Sequence, residues 1–409
     1  MKKLIFIAAI LLTQVLVNNS YSQTAYVTNN NDSTVSVIDI PTNTVTHTII
    51  VGDAPFGVSA SSDGTKVYIT NSFSNSISVI NTATNTVTAT IAVGNVPNAV
   101  AVNSTGSKVY VTNRFDNSVK VINTATNTVS ATISVGIEPY GICVSPNGNK
   151  VYVANFADTT ISVINTVTNT VIGTINVGVN PFAICVSPDG SKVYVTINGF
   201  NGKVCVIDSL TNSVLNIIPV GKNPYGLTVS PDGSKLYSSN YSDSTISVIN
   251  TTTNTVLNII SVYCEPYGLS FTPDGSKLYL AGANTNNVKV INTSTNLITD
   301  SILTGNTPLA FGNFISTYSQ HEGIASYGID TENISIYPNP FTSQTTITFS
   351  EEQKNTALKI INVLGEVINT INFTGKQLVL DKGEMKEGIY FVQTTDEKKN
   401  IINKKIIIQ

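Results

Sequence analysis

The sequence predicts an all-β fold: a seven-bladed β-propeller with four-stranded blades and terminal-strand closure, followed by a small C-terminal β-sandwich. The first reason is internal repetition, because three different markers each recur seven times at steps of about 42 residues. One marker is a tyrosine, at Tyr26, Tyr68, Tyr110, Tyr152, Tyr194, Tyr237 and Tyr279. Another is a proline, at Pro55, Pro97, Pro139, Pro181, Pro224, Pro266 and Pro308. The third is a strand-ending residue, at Asp39, Asn81, Asn123, Asn165, Asp208, Asn250 and Asn292.

The second reason is the pattern inside each unit, for which residues 97–136 serve as the example. Short β-prone runs at Ala99–Val102, Lys108–Thr112, Val119–Asn123 and Thr128–Val135 are separated by turn residues. In other units the first turn is Ser-Pro-Asp-Gly, and Asp-Gly favours a tight hairpin. Four strands in such a period suit a propeller blade, whereas a β-helix coil is shorter and a leucine-rich repeat has only about 20–29 residues.

The third reason is the way in which the two ends of the repeat complement each other. The chain enters the repeat at Tyr26, in a second-strand position, so the first unit lacks its innermost strand. After Pro308, the apolar run Leu309–Ile315 fits a first strand. We expect this run to pair with Ala25–Asn29, which would complete the first blade and remove both exposed sheet edges.

The composition gives no general electrostatic case for nucleic acid or an anionic membrane as a partner, because charged residues make up 11% and the net charge is −3. The two histidines, His47 and His321, fall in different segments, so neighbouring positions assemble no Ser-His-Asp triad and no His-rich metal site. No Gly-rich phosphate loop precedes a helix. The sequence therefore predicts no catalytic residue, no metal site and no cofactor.

The first 22 residues have the features of a secretory signal peptide. A basic start at Lys2 and Lys3 precedes the apolar run Leu4–Leu12, and small residues at Ser20 and Ser22 suit cleavage before Gln23. The alternative, a membrane anchor, needs about 20 apolar residues, and this stretch is shorter. We therefore predict an exported chain, with no transmembrane segment in the mature protein.

The repeat units resemble those of a known family. Tyr26–Asn29 and Tyr110–Asn113 are Tyr-Val-Thr-Asn, with Val-Gly-x-x-Pro and Ser-Pro-Asp-Gly-Ser-Lys between such segments. They are similar to the repeats of YVTN-type β-propeller proteins, and the resemblance covers roughly residues 24–318. It implies a seven-bladed propeller, but no single activity.

The tail is a different module, separated by a polar linker at residues 319–331. Alternating stretches at Thr345–Phe349, Ala357–Val363, Ile389–Thr394 and Ile401–Ile408 predict strands of a small sandwich over residues 332–409. The alternative is a generic carbohydrate-binding or adhesive β-sandwich. The motif residues that carry a more specific resemblance are Tyr337, Pro338, Asn339, Pro340, Gly365, Gly388, Tyr390, Lys405 and Gln409.

These motifs are similar to those of the C-terminal sorting domain of the type IX (Por) secretion system, although Asn362 stands where that family often has Asp. The resemblance implies a Bacteroidota-type host and the type IX machinery as a partner. It also implies a secreted protein that is released or attached to the outer-membrane surface, usually after removal of the tail.

Residues that recur in most units are expected to be architectural. Asp63, Asp189, Asp232 and Asp274 precede Gly in hairpin turns. Asp32, Asp116, Asp158 and Asp243 share one loop position, which suggests Asx-type turns or, alternatively, a ring of cation ligands. Lysines such as Lys66 and Lys108 are expected to be solvated turn residues. Cys143 and Cys185 suit small packed side chains better than a disulfide; Cys205 and Cys264 complete a set of four that allows three pairings.

The candidate binding surface is the face where the fourth-to-first and second-to-third strand loops gather. The residue after the recurring proline is aromatic in five of seven units, at Phe56, Tyr140, Phe182, Tyr225 and Tyr267. Charged residues confined to one or two units join them, at Arg114, Glu138, Lys222 and Glu265. The rings could wedge neighbouring blades together, or they could form a platform for a glycan or a peptide.

We therefore expect a secreted propeller that acts as a binding or scaffolding module, with adhesion as one such role. Two alternatives stay open. One is a propeller lactonase or hydrolase, which would need two or more carboxylates or a metal at the channel mouth. The other is a structural cell-envelope protein, which would bury the loop aromatics between blades.

Overall fold

The computed structural model describes residues 23–316, 334–362, 367–395 and 401–408. The predicted signal peptide at 1–22, the linker at 319–331, Gly365 and Gln409 lie outside the described residues. The chain divides into two compact units, with the division between His321 and Glu322. In the described part of the chain, no helix is long and apolar enough to cross a membrane.

The first unit is a ring of seven antiparallel four-stranded sheets, as predicted. Blade 1 contains β1 (Thr24–Asn29), β2 (Thr34–Asp39), β3 (Thr44–Ile50) and, from the far end, β28 (Ile315–Ser316). Blade 2 contains β4 (Pro55–Ala60), β5 (Lys66–Asn71), β6 (Ser76–Asn81) and β7 (Thr86–Ala92). Blade 3 contains β8 (Pro97–Val102), β9 (Lys108–Asn113), β10 (Ser118–Asn123) and β11 (Thr128–Ser134). Blade 4 contains β12 (Pro139–Val144), β13 (Lys150–Asn155), β14 (Thr160–Asn165) and β15 (Thr170–Asn176).

The remaining blades repeat this order. Blade 5 contains β16 (Pro181–Val186), β17 (Lys192–Ile197), β18 (Lys203–Asp208) and β19 (Val214–Pro219). Blade 6 contains β20 (Pro224–Val229), β21 (Lys235–Asn240), β22 (Thr245–Asn250) and β23 (Thr255–Ser261). Blade 7 contains β24 (Pro266–Phe271), β25 (Lys277–Gly282), β26 (Asn287–Asn292) and β27 (Leu297–Leu303). Single 3₁₀ turns follow the second strand in three blades, at Asn30–Asp32, Phe156–Asp158 and Tyr241–Asp243.

The second strand of each blade forms the core of the ring, because it is covered on both faces by neighbouring sheets. All seven marker tyrosines are less than 2% exposed. Some of their hydroxyls reach the turn before the fourth strand of the next blade: Tyr279 donates to Asn43 Oδ1 at 2.6 Å, and Tyr26 donates to Asn85 Oδ1 at 3.0 Å. The tyrosine marker therefore joins adjacent blades as well as filling them.

The recurring lysines are not solvated turn residues, which corrects our expectation. Each of the six starts a second strand, and in five of them, Lys66, Lys108, Lys150, Lys192 and Lys235, the ammonium group donates to a backbone carbonyl of the next blade. Lys108 Nζ lies 2.7 Å from Thr166 O, and Lys192 Nζ lies 2.7 Å from Thr251 O. The aliphatic stem lets the amine span the gap between blades and cap a carbonyl that the sheet leaves unpaired.

The ring is closed by the segment that follows Pro308. Ile315 and Ser316 pair with Ala25 and Thr24, while a bridge joins Pro308 to Asn29 at the other end of β1. Between them, Tyr26 N donates to Phe314 O at 2.8 Å.

Regular pairing is interrupted in the middle of the predicted run Leu309–Ile315. There Phe311 bridges to Gly57 in blade 2 instead of β1, and both Ala310 (φ 44°) and Gly312 (φ 125°) have positive φ. Closure by the terminal segment is therefore confirmed, with an irregular centre that the sequence did not predict.

The second unit is one five-stranded sheet. Its strands are β29 (Ile334–Tyr337), β30 (Gln344–Asn362), β31 (Val367–Asp381), β32 (Gly388–Thr395) and β33 (Ile401–Ile408). Two predicted strands merge into the long β30, which pairs with β29, β31 and β32. A bridge from Phe341 to Ile408 nearly closes the sheet around a core that includes Ile347, Leu358 and Phe373.

The motifs at the two ends of the tail meet in this sheet. Asn339 of the Tyr337–Pro340 motif accepts a hydrogen bond from Ile407 N at 2.8 Å, and Phe341 N donates to Ile407 O at 3.0 Å. The first motif is therefore held against the last strand.

If the closing segment stabilises the propeller, truncation of Phe314 should lower the free energy of unfolding much more than truncation of Phe73. Phe314 is fully buried in the closing segment, whereas Phe73 is 72% exposed. Phe314→Ala should lower the free energy of unfolding by about 3–5 kcal/mol through lost burial and a residual cavity. Phe73→Ala should change it by less than about 0.5 kcal/mol. Equal denaturant midpoints for the two variants would contradict the proposed role of the closing segment.

Candidate functional site

The loop face is built by hydrogen bonds that tie two loops of the same blade together. Asp116 Oδ2 accepts from Asn95 N at 2.9 Å, which joins the second-to-third strand loop of blade 3 to the loop that enters it. The equivalent carboxylate–amide pairs are Asp32 with Asn306, Asp158 with Ile137, and Asp243 with Lys222.

These aspartates therefore act as latches between loops, and not as the Asx turns that we expected. Among the described residues, no group of three or more His, Cys, Asp or Glu side chains could hold a metal ion. Each of these aspartates thus holds the entry loop of its own blade against the second-to-third strand loop at the channel mouth.

The threonine of the Tyr-Val-Thr-Asn motif positions the aromatic residue of the next blade. Thr112 Oγ1 accepts from Ala99 N within blade 3 and donates to Tyr140 O of blade 4 at 2.7 Å. Ser239 does the same between Gly226 and Tyr267, where its hydroxyl lies 2.7 Å from Tyr267 O. One hydroxyl thus satisfies two buried backbone groups and sets the spacing of adjacent first strands.

That spacing leaves no room for a side chain directly after the aromatic residue in several blades. A Cβ at Gly141 would lie 2.3 Å from Phe182 O, and one at Gly226 would lie 2.0 Å from Tyr267 O. The small residues allow the first strands to approach one another closely, so the preceding aromatic side chains are brought together at the mouth.

All five aromatic residues of the predicted set meet in one cluster, with Phe182 at its centre. Ring centroids lie 4.6 Å apart for Tyr140–Phe182, 4.7 Å for Phe182–Tyr225 and 5.0 Å for the stacked pair Tyr225–Tyr267. Phe56 contacts Tyr267 at 5.6 Å. Phe182 and Tyr267 are buried, at 3% and 9% exposure, whereas Phe56, Tyr140 and Tyr225 keep part of their surface open.

Three further rings complete this cluster. Phe156 and Tyr241 come from the second-to-third strand loops, and each packs edge-on or tilted against the central rings. Phe311, from the irregular closing segment, lies 5.4 Å from Phe56 and 5.5 Å from Phe182. Sequence reasoning missed Phe311 because it departs from the repeat register and has no counterpart in the other units.

Arg114 and Glu138 form an ion pair between blades 3 and 4. Glu138 Oε2 accepts from Arg114 Nε at 3.0 Å and from Nη2 at 2.7 Å. The guanidinium carbon also lies 5.0 Å from the ring centre of Tyr140 and 4.9 Å from that of Phe115. The cation is therefore held by one carboxylate and two aromatic faces.

Glu265 occupies the equivalent position before the proline of blade 7, but its partner is different. Its Oε2 accepts a hydrogen bond from Tyr241 Oη at 2.6 Å, and its backbone N–H donates to Asn284 Oδ1 at 2.8 Å. Burial raises the pKa of Tyr241 to about 12, and the hydrogen bond to Glu265 adds to this shift. Burial also raises the pKa of Tyr267.

The loop that carries Glu265 differs from the other entry loops. Tyr263 replaces the usual glycine, has φ 56° and is 82% exposed. The asparagine that ends five of the other six second strands is replaced by Gly282, and a Cβ there would lie 3.0 Å from Cys264 Sγ. The buried Cys264 therefore takes the space of the missing asparagine, and the repeat is broken at this blade.

An open cleft of about 400 Å³ lies beside the altered loop. Its lining consists of Tyr225, Tyr241, Glu265, Tyr267, Ala283, Asn284, Thr307 and Leu309. Three of these residues, Tyr225, Glu265 and Tyr267, belong to the predicted site. Arg114 and Glu138 lie outside the cleft, on loops of blades 3 and 4 beside Tyr140, and Tyr140, Phe56 and Phe182 belong to the central ring cluster. Asn284 and Thr307 were not singled out, although they too lie in loops on this face.

All four cysteines are free thiols in the structure. Burial raises the pKa of Cys143 and of Cys185, and their side chains line the packed interior between blades. This placement agrees with their interpretation as small packed residues.

Comparisons with known proteins separate the two modules. Residues 335–409 match the family described as secretion system C-terminal sorting domain, and residues 95–201 match the YNCE-like β-propeller family. Both matches agree with the seven blades and the separate tail sheet. The chain thus combines a seven-bladed β-propeller, matched in part by the YNCE-like family, with a C-terminal secretion sorting domain.

Individual relatives are more distant from this propeller protein. An endo-acting ulvan lyase from Formosa agariphila is 31% identical over 78 residues, which is 19% of this chain and 15% of the lyase. A chain of Kuenenia stuttgartiensis hydrazine synthase has 22% identity and a TM-score of 0.59, over 63% of this chain and 88% of that one. A protein of unknown function from Desulfotomaculum acetoxidans has 18% identity and a TM-score of 0.61, over 71% and 100%. The two structural likenesses show the fold alone.

The contact between Tyr241 and Glu265 predicts that the charge of Glu265 contributes to the raised pKa of Tyr241. In Glu265→Gln the negative charge is removed, so the pKa of Tyr241 should fall below about 12 but stay above 10, because burial is the largest cause of its shift. NMR of ring-labelled tyrosine at increasing pH measures this directly. An unchanged Tyr241 pKa in the variant would show that the two side chains do not interact in solution.

Proposed function

We propose that this exported propeller is a binding module whose ligand occupies the cleft beside blade 7. The observation that carries the proposal is the composition of the cleft: three tyrosine rings, one carboxylate, one amide and one hydroxyl line a single concave surface. A ligand site of this kind combines apolar faces with a few polar groups that orient the ligand.

The position of the cleft supports the same proposal. Most blades keep the glycine of the entry loop and the asparagine that ends the second strand, whereas blade 7 replaces both, with Tyr263 and Gly282. A functional site is expected where local rules are broken and the change is compensated nearby. Cys264 provides that compensation, because it fills the space that the absent asparagine leaves.

The fold supports binding through rigidity. Tyr267, one of the rings that line the cleft, extends from a first strand whose backbone carbonyl accepts a hydrogen bond from the Ser239 hydroxyl of the preceding blade. A ring held in this way loses little conformational entropy when a ligand binds, and this favours affinity. An aromatic platform of this type suits either a glycan ring or an extended peptide.

The location of the protein follows from its tail, which identifies it as a secreted or cell-surface protein. A cleft on the loop face would then be available to extracellular ligands. Retention on the outer-membrane surface, as opposed to release, stays an expectation from the sorting-domain resemblance.

The enzymatic alternative depends on carboxylates that converge at the mouth. Within the described residues, Glu138 and Glu265 are on loops of different blades and contact Arg114 and Tyr241 respectively. The ulvan lyase shares only 15% of its length with this chain, so its activity does not carry over. No observation favours this alternative over a binding role.

The proposal predicts that ligand capture depends on the cleft rings. The purified protein is applied to glycan and peptide microarrays, together with Tyr225→Ala and with Phe73→Ala as a control that removes an exposed ring elsewhere on the loop face. Tyr225→Ala should reduce binding to the captured ligands by at least about tenfold, the scale of a lost stacking contact. Phe73→Ala should bind like the wild type. If Tyr225→Ala binds equally well, the ligand does not use this cleft and the proposal fails.

A further inference from the structure

We propose that the cleft recognises a guanidinium or ammonium group, presented by a basic side chain of a peptide or protein segment. This inference rests on the proposed function, because it names the ligand class for the same cleft. Two observations support it. The first is a comparison of the partners of Glu138 and Glu265, and the second is the set of aromatic rings that surround the charge of Glu265.

The chain itself shows which partner a glutamate in this position takes. Glu138 and Glu265 both directly precede the proline that begins a first strand, and each contacts the residue 24 positions earlier. At Glu138 that residue is Arg114, whose guanidinium also lies over the ring of Tyr140. At Glu265 the corresponding residue is Tyr241, which supplies a hydrogen bond without a positive charge. The carboxylate of Glu138 therefore has a cation of the chain as its partner, whereas the corresponding partner of Glu265 is uncharged.

The charge of Glu265 has no counter-ion among the described residues. In that part of the chain the ion pairs are Arg114–Glu138 and Lys222–Asp243. Lys222 also lies over the ring of Phe200, at 4.6 Å, and Lys289 donates to Ser301 Oγ at 3.1 Å. A half-buried carboxylate beside apolar rings attracts an external cation more strongly than an exposed one does, because water screens it less.

The rings of the cleft complement the same ligand. Tyr225, Tyr241 and Tyr267 line it together with Glu265, and aromatic faces next to a carboxylate stabilise cations. A guanidinium group can stack on a ring and donate two hydrogen bonds to one carboxylate, as Arg114 does to Glu138. A neutral sugar would use the rings and the polar groups but would leave the charge of Glu265 unmatched.

The test compares two peptides that differ in one charge. Acetyl-Gly-Arg-Gly-amide and its citrulline counterpart, which is neutral and nearly isosteric, are titrated calorimetrically into the full-length protein at low salt. The arginine peptide should bind at least about tenfold more tightly than the citrulline peptide. Glu265→Gln should lose that preference, and Tyr241→Arg should lose binding because an internal guanidinium would then contact Glu265.

A matched control separates the local effect from the overall charge. Asp53→Asn removes one exposed carboxylate from the entry loop of blade 2, on the same face but outside the cleft, and it should bind the arginine peptide within about twofold of wild type. Equal binding of both peptides, no binding of either at millimolar concentration, or equal losses in Glu265→Gln and Asp53→Asn would each overturn the inference.

The failure of this inference is distinguishable from that of the proposed function. If microarray ligands are still lost in Tyr225→Ala but none depends on a positive charge, the cleft binds a neutral ligand such as a glycan. In that case the inference is wrong and the binding module stands. If no captured ligand responds to Tyr225→Ala, the proposed function itself is wrong.

Discussion

The structure depends on one constraint: every blade must bury both faces of its sheet, so the ring has to be closed by strands from opposite ends of the propeller. The segment from Pro308 to Ser316 meets this constraint by lying along β1. Its irregular centre also delivers Phe311 to the ring cluster, where it contacts Phe56 and Phe182. Closure and the shape of the mouth are therefore parts of the same arrangement.

The repeat motif can be understood as a set of contacts between blades. Its tyrosine fills the space between sheets, its threonine joins two backbone groups of adjacent first strands, and the lysine before it caps a carbonyl in the next blade. The hydroxyl contact recurs in four blades, and at Thr28, Thr112 and Ser239 it holds the backbone of the aromatic residue of the next blade. The Arg114–Glu138 ion pair and the Tyr241–Glu265 hydrogen bond are contacts that depart from this repeated pattern.

Much of the fold could be predicted because repetition within one chain separates architecture from exception. Blade number and the closing strand both follow from positions in the repeat. The tail was harder: β31 was not predicted, because its side chains are mostly exposed and give little apolar alternation. The role of the lysines was also missed, because their recurrence marks an architectural position but does not show which group of the next blade the amine contacts. The cleft could not be predicted, since it depends on the path of the closing segment past Thr307 and Leu309.

Amide hydrogen exchange tests ring closure most directly. The amide of Tyr26 donates to Phe314 O, across the junction between the two ends of the propeller. If the account is correct, this amide exchanges as slowly as those of Tyr110 and Tyr152, which lie in blades built from continuous chain. Exchange of Tyr26 that is faster by several orders of magnitude, with Tyr110 still protected, would show that the first blade is open and would contradict the account.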